Sequence, residues 1–313
     1  MKPVRQTTLA DRVELCGVGV HSGKTTHLSI APADADTGIV FHRADSARSV
    51  RASRGAVRAG DLATVLGDDS GPAVSTVEHL LATFAGLGID NAHVALDGPE
   101  VPILDGSAGE FVSALDRVGI AETNRARRYL RVLKTVRVET AHGFGELSPY
   151  DAGCRIEIDI EFEHAAIGRQ RYAATLSPDV FRRDLSRART FGFVRDVERL
   201  WQAGYALGAS LDNTICLDDA GVMNEGGLRY ADEFVRHKAL DAVGDLALGG
   251  LPLLARYRSY KGGHKLNFAV VDALLADRSA YEVVVADAPA RRPLRGHAGL
   301  DIAVAVPAYA PEL

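Results

Sequence analysis

Apolar and polar residues alternate along several stretches of this chain. The alternation is strict at residues 132–138 and 154–162, and it also covers residues 26–30, ahead of a short apolar run at 39–41. A period of two is typical of strands that bury one face and expose the other. The pattern therefore predicts strands at the beginning of each half of the chain.

Helical periodicity follows these strands in both halves. Apolar residues recur every three or four positions at 75–86, 108–118, 178–188 and 231–248. This order indicates an α+β protein built as a duplicated unit, with two helices on a sheet in each half. The halves meet near residues 124–127, so we predict a first domain at 1–126 and a second at 127–285.

Residues 192–218 have a pattern of their own. They predict a short strand, a helix at 194–204, a glycine-marked turn at 207–210 and a strand at 213–217. This order indicates a βαβ insertion in the second domain. After Ala288 the sequence is rich in Pro, Arg and Ala, and we expect a C-terminal tail at 286–313 that follows the end of a strand.

Composition and charge narrow the classes of function. The chain has 313 residues, of which 47% are hydrophobic and 25% charged, so it can bury a sizeable core. Its net charge of −5 argues against a nucleic-acid-binding protein, which normally carries a basic surplus. Short arginine clusters, such as that at 125–128, are expected to be solvated surface, although arginines beside a cleft could hold a pyrophosphate.

Cysteine usage and the apolar runs bear on location. The three cysteines form no Cys-x-x-Cys pair, so we expect neither a thiolate metal site nor a disulfide framework, and the reducing cytosol is favoured. Residues 1–6 contain no apolar core of a signal peptide. Because no run of about 18 apolar residues is present, we expect no membrane span.

Three separate fragments contain side chains suited to one metal-dependent site. They lie at residues 75–79, 237–241 and 263–267. Together they offer two histidines and an aspartate for a metal, and also a glutamate, a lysine and a third histidine. Two neutral imidazoles and one carboxylate leave an open position on Zn2+, as in catalytic sites. A water activated there could hydrolyse an amide.

The first fragment also has an ordinary structural explanation. Ser75 and Glu78 fit a capping box at the start of a helix. His79 could pack beside the apolar stripe that follows it, without any ligand role. The fragment alone would favour these structural interpretations.

The other two fragments leave similar alternatives. His237 and Asp241 are four residues apart on a helix, where they can reach one ion or bond to each other. Asp245 lies one turn further and could fix the tautomer of a histidine, whereas Lys238 lies about 100° round the helix, usually in solvent. His264 follows two glycines, which predicts a loop that releases it from regular structure. Each signal is weak alone, and their joint presence is much stronger.

Residues 17–25 resemble a phosphate-binding loop but fail its spacing. A Walker A loop requires glycine where this chain has Val18, and no strongly apolar strand precedes the segment. We therefore expect no nucleoside triphosphatase.

The fragments occur in an order and spacing that resemble the UDP-3-O-acyl-N-acetylglucosamine deacetylase family, the zinc amidases of lipid A synthesis in Gram-negative bacteria. The resemblance extends from Gln6 to about Ala276. It is specific because it includes residues 17–24, 75–91, 102–107, 186–193, 224–246 and 263–267. It implies two α+β domains with helices packed between the sheets, and a βαβ insertion that lines an acyl passage.

The same resemblance implies roles for single residues. The implied ligands of one Zn2+ per chain are His79, His237 and Asp241. The residues implied around the reacting amide are Glu78 as general base, Thr190, Lys238 and His264, with Asp245 orienting His264.

Substrate contacts are expected mainly from the insertion. Its apolar residues would hold the fatty acyl chain, although they could equally form the core of the insertion. The predicted contacts are Phe191, Phe193, Val194, Val197, Ser210, Leu62 and Val20. The implied substrate is an acylated UDP-N-acetylglucosamine. We expect a cytoplasmic monomer that makes transient contact with the membrane surface and binds no nucleic acid.

The expected reaction is hydrolysis of the acetamide to a free amine and acetate. Glu78 would take a proton from water, while zinc, Thr190 and a protonated His264 would stabilise the oxyanion. Either Glu78 or His264 could protonate the amine. Another zinc amidase such as a peptidase is disfavoured because His-Glu-x-x-His is absent. A catalytically silent sugar-nucleotide-binding protein is the other alternative, and release of acetate distinguishes all three.

Overall fold

The computed structural model describes residues 5–59 and 62–286 of the chain. The tail predicted at 286–313 therefore lies outside the described residues, apart from Ala286. Within these ranges, twenty strands form five sheets and six α-helices accompany them.

The helices are α1 (Glu78–Leu87), α2 (Gly109–Val118), α3 (Pro178–Val180), α4 (Val194–Gln202), α5 (Glu233–Ala247) and α6 (His264–Ala276). The strands are β1 (Arg5–Leu9), β2 (Val13–Val18), β3 (Thr25–Pro32), β4 (Ile39–Arg43), β5 (Arg48–Arg51), β6 (Val57–Ala59), β7 (Val65–Asp68), β8 (Gly71–Val74), β9 (Ala92–Leu96), β10 (Ile120–Ala126), β11 (Arg128–Val132), β12 (Val136–Glu139), β13 (Phe144–Pro149), β14 (Cys154–Glu161), β15 (Arg169–Thr175), β16 (Phe191–Phe193), β17 (Ile215–Asp218), β18 (Gly221–Val222), β19 (Leu253–Tyr260) and β20 (Tyr281–Val285).

A five-stranded sheet forms the main layer of the first half. Its order is β2-β3-β9-β4-β5, and only β4 and β9 run parallel. Leu28 and Ile30 of β3 are buried on one face, as the alternating pattern predicts. They belong to the same apolar core as Leu80 and Phe84 of α1 and Phe111 of α2. The helices of this half therefore cover the inner face of its sheet.

A seven-stranded sheet forms the main layer of the second half. β12-β13-β19-β11-β20 lie in that order, β14 pairs with β19, and β15 pairs with β14. Ile156, Ile158 and Ile160 of β14 are buried, where α5 packs on β14 and β15. α6 packs on β12 and β13. The half-buried strand predicted at 154–162 is therefore confirmed.

The helices of the two halves face each other in the interior. α1 packs directly against α5, and α5 packs in turn against α6. At Gly244 an added Cβ would lie 2.1 Å from the carbonyl oxygen of Glu78, so only glycine permits this approach. The α+β fold with helices between the sheets is thus confirmed. The domain boundary at 126/127 stays a prediction, since one continuous core contains residues of both halves.

β16, α4 and β17 form the predicted insertion. β16 and β17 pair in parallel, with Phe191 opposite Ile215. A parallel pair requires a crossover connection, which here contains α4. β18 adds an antiparallel partner to β17. The order of strand, helix and strand is confirmed, and the helix ends at Gln202 rather than at residue 204.

Several predicted elements differ from the structure. The strand predicted at 132–138 is interrupted, because β11 ends at Val132 and pairs with β20, whereas β12 begins at Val136 and pairs with β13. The helix predicted at 178–188 is the short α3 followed by a π-helical turn, Phe181–Leu185. The loop predicted around His264 is wrong, since His264 is the first residue of α6. Among the described helices, none combines the length and apolar character that a bilayer span requires.

Candidate active site

Three buried side chains from α1 and α5 form a group suited to a metal ion: His79, His237 and Asp241, which we call the metal-binding group. One ligand atom each of His79, His237 and Asp241 lies within 4.8 Å of the others. Oδ1 of Asp241 is 3.6 Å from Nε2 of His79 and 3.4 Å from Nε2 of His237. The two imidazole rings meet edge to face, with centroids 5.0 Å apart. The four-residue spacing on α5 thus presents both of its side chains to His79.

Hydrogen bonds select which atom of each α5 side chain faces the group. Nδ1 of His237 donates to the carbonyl oxygen of Ala188 at 3.0 Å, which leaves Nε2 as the free lone pair. Lys238 donates from Nζ to Oδ2 of Asp241 at 2.8 Å, which leaves Oδ1 toward the histidines. Partners of this kind orient metal ligands. Lys238 therefore points into the site rather than into solvent. Its ammonium group contacts the carboxylate of Asp241.

Burial and neighbouring charges set the protonation of this group. Burial lowers the pKa of His237 to about 4, although Asp241 opposes the shift. Burial disfavours the ionised form of Asp241, but His237 and Lys238 outweigh this and hold its pKa well below the usual range. A neutral imidazole and an ionised carboxylate are the forms that bind a metal.

Glu78 does not cap its helix. α1 begins at Glu78, with Val77 at the N-cap and no side-chain cap bond. Ser75 donates from Oγ to the carbonyl oxygen of Pro99 at 3.2 Å. Oε2 of Glu78 instead accepts a 3.0 Å bond from the backbone N–H of Thr64. The capping-box interpretation is therefore wrong, and a neighbouring segment holds the carboxylate inside the site.

The second oxygen of Glu78 faces His264. Oε1 lies 3.8 Å from Nε2 of His264. Burial raises the pKa of Glu78, while His264 and His79 oppose the shift. A raised pKa brings a carboxylate closer to the range in which a general base is most effective.

Asp245 holds the other side of His264. Nδ1 of His264 donates to Oδ2 of Asp245 at 2.7 Å, and Nδ2 of Asn267 donates to the same oxygen at 2.8 Å. Burial lowers the pKa of His264, but the carboxylates of Asp245 and Glu78 outweigh it and raise the pKa to about 10. This imidazole is therefore a cation at neutral pH, in contrast to that of His237.

Thr64 joins the carboxylates of Glu78 and Asp245, and it was not predicted from the sequence. Its N–H holds Glu78, and its hydroxyl donates to Oδ1 of Asp245 at 2.7 Å. The hydroxyl also lies 3.4 Å from Nδ1 of His264. Thr64 is fully buried. A lone threonine outside any periodic segment carries no signal of such a role.

Glu100 is a second residue of this region that was not predicted from the sequence. Its buried carboxylate accepts bonds from the backbone N–H of His21 at 2.9 Å and of Ser22 at 2.8 Å. The hydroxyl of Thr76 donates to it at 2.7 Å. Thr76 has a φ of 58°, which is rare for a β-branched residue, and it lies just before Glu78. The loop that resembles a phosphate-binding loop thus binds a carboxylate of the chain itself.

Phe191, which follows Thr190, connects the insertion with the metal-binding group. The backbone N–H and the backbone carbonyl of Thr190 are both hydrogen-bonded, and its side chain is half-buried. The ring of Phe191 lies 6.3 Å from that of His237 and 5.8 Å from Nζ of Lys238. Phe193, two residues on, is also half-buried. The structure therefore brings the beginning of the insertion to the site.

The rest of the insertion is more exposed. α4 has no buried residue. Val194 is 41% exposed, Val197 is half-buried, and Ser210 lies in an exposed turn. These predicted substrate contacts offer an open apolar surface rather than a closed pocket.

The insertion rests on a loop of the first half. The N–H groups of Leu207 and Gly208 donate to the carbonyl oxygens of His21 and Val20 at 3.2 and 3.0 Å. Val20 is buried, whereas Leu62 is 44% exposed. Val20 is thus placed at the contact between the insertion and the first half.

Comparison with known proteins gives one consistent result. Residues 6–276 match the family model of UDP-3-O-acyl N-acetylglycosamine deacetylase. The chain is similar to proteins named UDP-3-O-acyl-N-acetylglucosamine deacetylase from Brucella ovis, Brucella canis and Brucella suis. Each is 52% identical over 284 residues, which cover 90% of this chain and 99% of the relative.

Proposed function

The chain belongs to the UDP-3-O-acyl-N-acetylglucosamine deacetylase family, and we propose that the buried group on α1 and α5 is its zinc site. The chain hydrolyses the acetamide of UDP-3-O-acyl-N-acetylglucosamine to a free amine and acetate, in lipid A biosynthesis. One observation supports the assignment of residues above all others. Glu78, adjacent to His79 in the metal-binding group, directs Oε1 to within 3.8 Å of the cationic His264.

The donor set fits one zinc ion with an open position. Catalytic zinc sites use three protein ligands from nitrogen and oxygen donors, and His79, His237 and Asp241 offer such atoms within 4.8 Å of one another. When bound, Zn2+ supplies a Lewis acid that acidifies a water and polarises the acetamide carbonyl. The neutral His237 and ionised Asp241 suit this role.

Glu78 acts as the general base. Because the N–H of Thr64 holds Oε2, Oε1 is the oxygen free to take a proton from the attacking water. Burial raises the pKa of Glu78, which makes it a stronger base than an exposed carboxylate. The buried surroundings also exclude bulk water that would compete for the proton.

His264 acts as the cationic donor. Asp245 occupies Nδ1, so the N–H at Nε2 is available to the substrate. It donates to the oxygen of the acetamide carbonyl as negative charge develops there. Its proton can then pass to the departing amine. The hydroxyl of Thr190 is a second donor in this proposal.

The insertion holds the acyl chain. Phe191 lies beside His237, and on α4 Val194 is exposed and Val197, three residues on, is half-buried. A contiguous exposed apolar surface commonly marks a binding site. An acyl chain that covers these side chains would extend away from the metal-binding group.

We assign the enzyme to the cytoplasm as a monomer. All three cysteines are free, as expected in a reducing compartment. The net charge of −5 supports a partner other than nucleic acid. Light scattering of the purified protein tests the oligomeric state, and a stable dimer would contradict it.

Acetate release measured together with metal content tests the proposal. The wild type should contain about one zinc per chain and release acetate from the acylated sugar nucleotide. His79→Ala should lose about one equivalent of zinc together with activity. Equal zinc content in both proteins would contradict the assignment of His79 as a zinc ligand. Substrate binding without acetate release by the wild type would identify a sugar-nucleotide-binding protein without catalytic activity.

A further inference from the structure

Glu100 is a fully buried acid that the proposed mechanism does not use. Burying a carboxylate costs free energy unless hydrogen bonds compensate for the lost water. Here the compensating donors are neutral groups: the backbone N–H groups of His21 and Ser22, and the hydroxyl of Thr76. Because these donors belong to two segments far apart in sequence, the carboxylate joins one segment to the other.

On one side, Glu100 holds the residues that lead into α1. Its Oε1 accepts the hydroxyl bond of Thr76 at 2.7 Å. The backbones of the two segments are also joined, since the N–H of Ser75 donates to the carbonyl oxygen of Pro99 at 2.9 Å. The φ of 58° at Thr76 is unfavourable for a β-branched residue and persists only where neighbouring groups hold it. Because α1 has no side-chain cap, the bond to Glu100 stabilises the turn from which Glu78 enters the site.

On its other side, Glu100 holds the loop that contains His21 and Ser22. The N–H groups of these two residues donate to Oε1 at 2.9 Å and to Oε2 at 2.8 Å. The fit is close, since a Cβ added at Gly19 would lie 2.2 Å from Oε2. The insertion rests on the same loop, where the N–H of Ala206 donates to Nδ1 of His21 at 3.3 Å. A displaced loop would therefore displace the insertion.

We propose that Glu100 is a positioning residue for the deacetylation. Through Thr76 it sets where Glu78 enters the site, and through the loop it sets how the insertion lies against the first half. A carboxylate can do both because each of its oxygens accepts hydrogen bonds, whereas an amide accepts on one side only. The inference rests on the proposed function, in which Glu78 is the base and the insertion holds the acyl chain.

Two conservative variants separate the two sides of Glu100. Thr76→Val keeps the shape of the side chain but removes its hydroxyl, so kcat should fall about 10–100-fold with KM unchanged. In Glu100→Gln the amide oxygen can still accept from Thr76 and His21, but the NH2 group then faces the N–H of Ser22. The loop should loosen, and KM for a long-chain substrate should rise about tenfold, as expected for loss of a charge-assisted hydrogen bond. The change in kcat should be smaller than in Thr76→Val.

Hydrogen exchange of the backbone amides gives a second readout that does not depend on activity. Thr76→Val should exchange faster within residues 75–81, and Glu100→Gln should exchange faster within residues 204–211. Thr7→Val is the matched control, because it removes another buried hydroxyl bond, to the carbonyl oxygen of Gly88 just after α1. It should keep the kcat, the KM and the exchange rates of both segments.

A purely structural role of Glu100 would lower stability without separating kcat from KM. The same kinetic change in Thr76→Val and Glu100→Gln, or wild-type kinetics in either, would overturn the proposal. Unchanged exchange in both segments would overturn it as well. Failure of the proposed function is distinguishable, because the wild type itself would then release no acetate while the exchange rates would still test the contacts of Glu100.

Discussion

The metal-binding group and the insertion are built in opposite ways. The side chains of His79, His237 and Asp241 are at most 5% exposed. Neighbouring groups hold the two on α5 by hydrogen bonds. α4 of the insertion has no buried residue, and its apolar side chains Val194 and Trp201 are 41% and 57% exposed. One region is rigidly packed, and the other is an open surface.

The difference matches the roles proposed for the two regions. Metal binding and proton transfer require side chains held close to one geometry in dry surroundings, which the packing of α1 on α5 provides. An acyl chain requires apolar area, and its burial contributes affinity without a fixed geometry. Substitutions in the first region should therefore lower kcat, and those in the second should raise KM.

Glu78→Gln should produce the largest effect. The amide can still accept the N–H of Thr64 but cannot take a proton, so kcat should fall about 10²–10⁴-fold. Zinc content should stay unchanged because Glu78 is not a ligand. Acetate release and metal analysis of the same samples measure both quantities. Glu110→Gln, at the exposed beginning of α2, is the matched control and should keep full activity. Zinc loss in Glu78→Gln would show that the residue supports the metal site instead.

The pH dependence of activity tests the proposed protonation states of Glu78 and His264. Activity should fall at acidic pH as Glu78, whose pKa burial raises, becomes protonated. It should fall at alkaline pH as His264, whose pKa is raised to about 10, loses its proton. Both limbs belong to coupled groups rather than to single residues.

Variants of the His264–Asp245 pair separate the contributions to the alkaline limb. Asp245→Asn removes a carboxylate that raises the pKa of His264, so the alkaline limb should move to lower pH. His264→Gln should lower the maximal rate about 10²–10³-fold and flatten this limb. An alkaline limb that stays in place in both variants would assign it to another group and remove the charged role of His264.

Thr64→Val should have an intermediate effect. It removes the hydroxyl bond to Asp245 but keeps the N–H that holds Glu78, so kcat should fall about 10–100-fold. Thr64→Ser retains a hydroxyl and should restore most of the rate. Equal rates in the two variants would leave the hydroxyl without a role, whatever their thermal stability.

Val197→Asp should have the smallest effect on the maximal rate. A charge on the apolar surface of α4 should raise KM for a long-chain substrate about tenfold and leave kcat nearly unchanged. A short-chain analogue should show no difference. Glu198→Ala, at an exposed neighbour, is the control and should match the wild type. A large loss of kcat would contradict the contrast between the insertion and the metal-binding group, because the insertion would then also set the catalytic geometry.

The fold was predictable at several elements that bury one face. β3 and β14 alternate in sequence and in burial, so both were predicted as strands. α6 was not predicted, because its residues 266–271 are apolar except for Asn267 and the glycines before it are typical of a loop. α6 packs against α5 as well as β12 and β13, and its narrow exposed face carries Ala269 and Ala276 beside Lys265 and Asp272, so the helical period is weak in the sequence.

The candidate site was predictable to the extent that its chemistry lies in residue types and short spacings. The four-residue spacing of His237 and Asp241 indicated a shared helix face, and the family resemblance implied their role. Thr64 and Glu100 had no such signal. Thr64 reaches Asp245 across 181 residues of sequence, and Glu100 acts by accepting backbone N–H groups of a distant loop.

The sequence by itself determined the periodicity of its elements, the overall α+β class and the types of side chain available for a metal-dependent hydrolysis. Only the tertiary structure decided that α1 crosses α5 at Gly244, so that His79 meets His237 and Asp241 from a distant part of the chain. It also decided that one buried histidine is neutral and another is a cation. The reason is that periodicity depends on near neighbours, whereas burial and the charges around a buried group come from residues far apart in sequence.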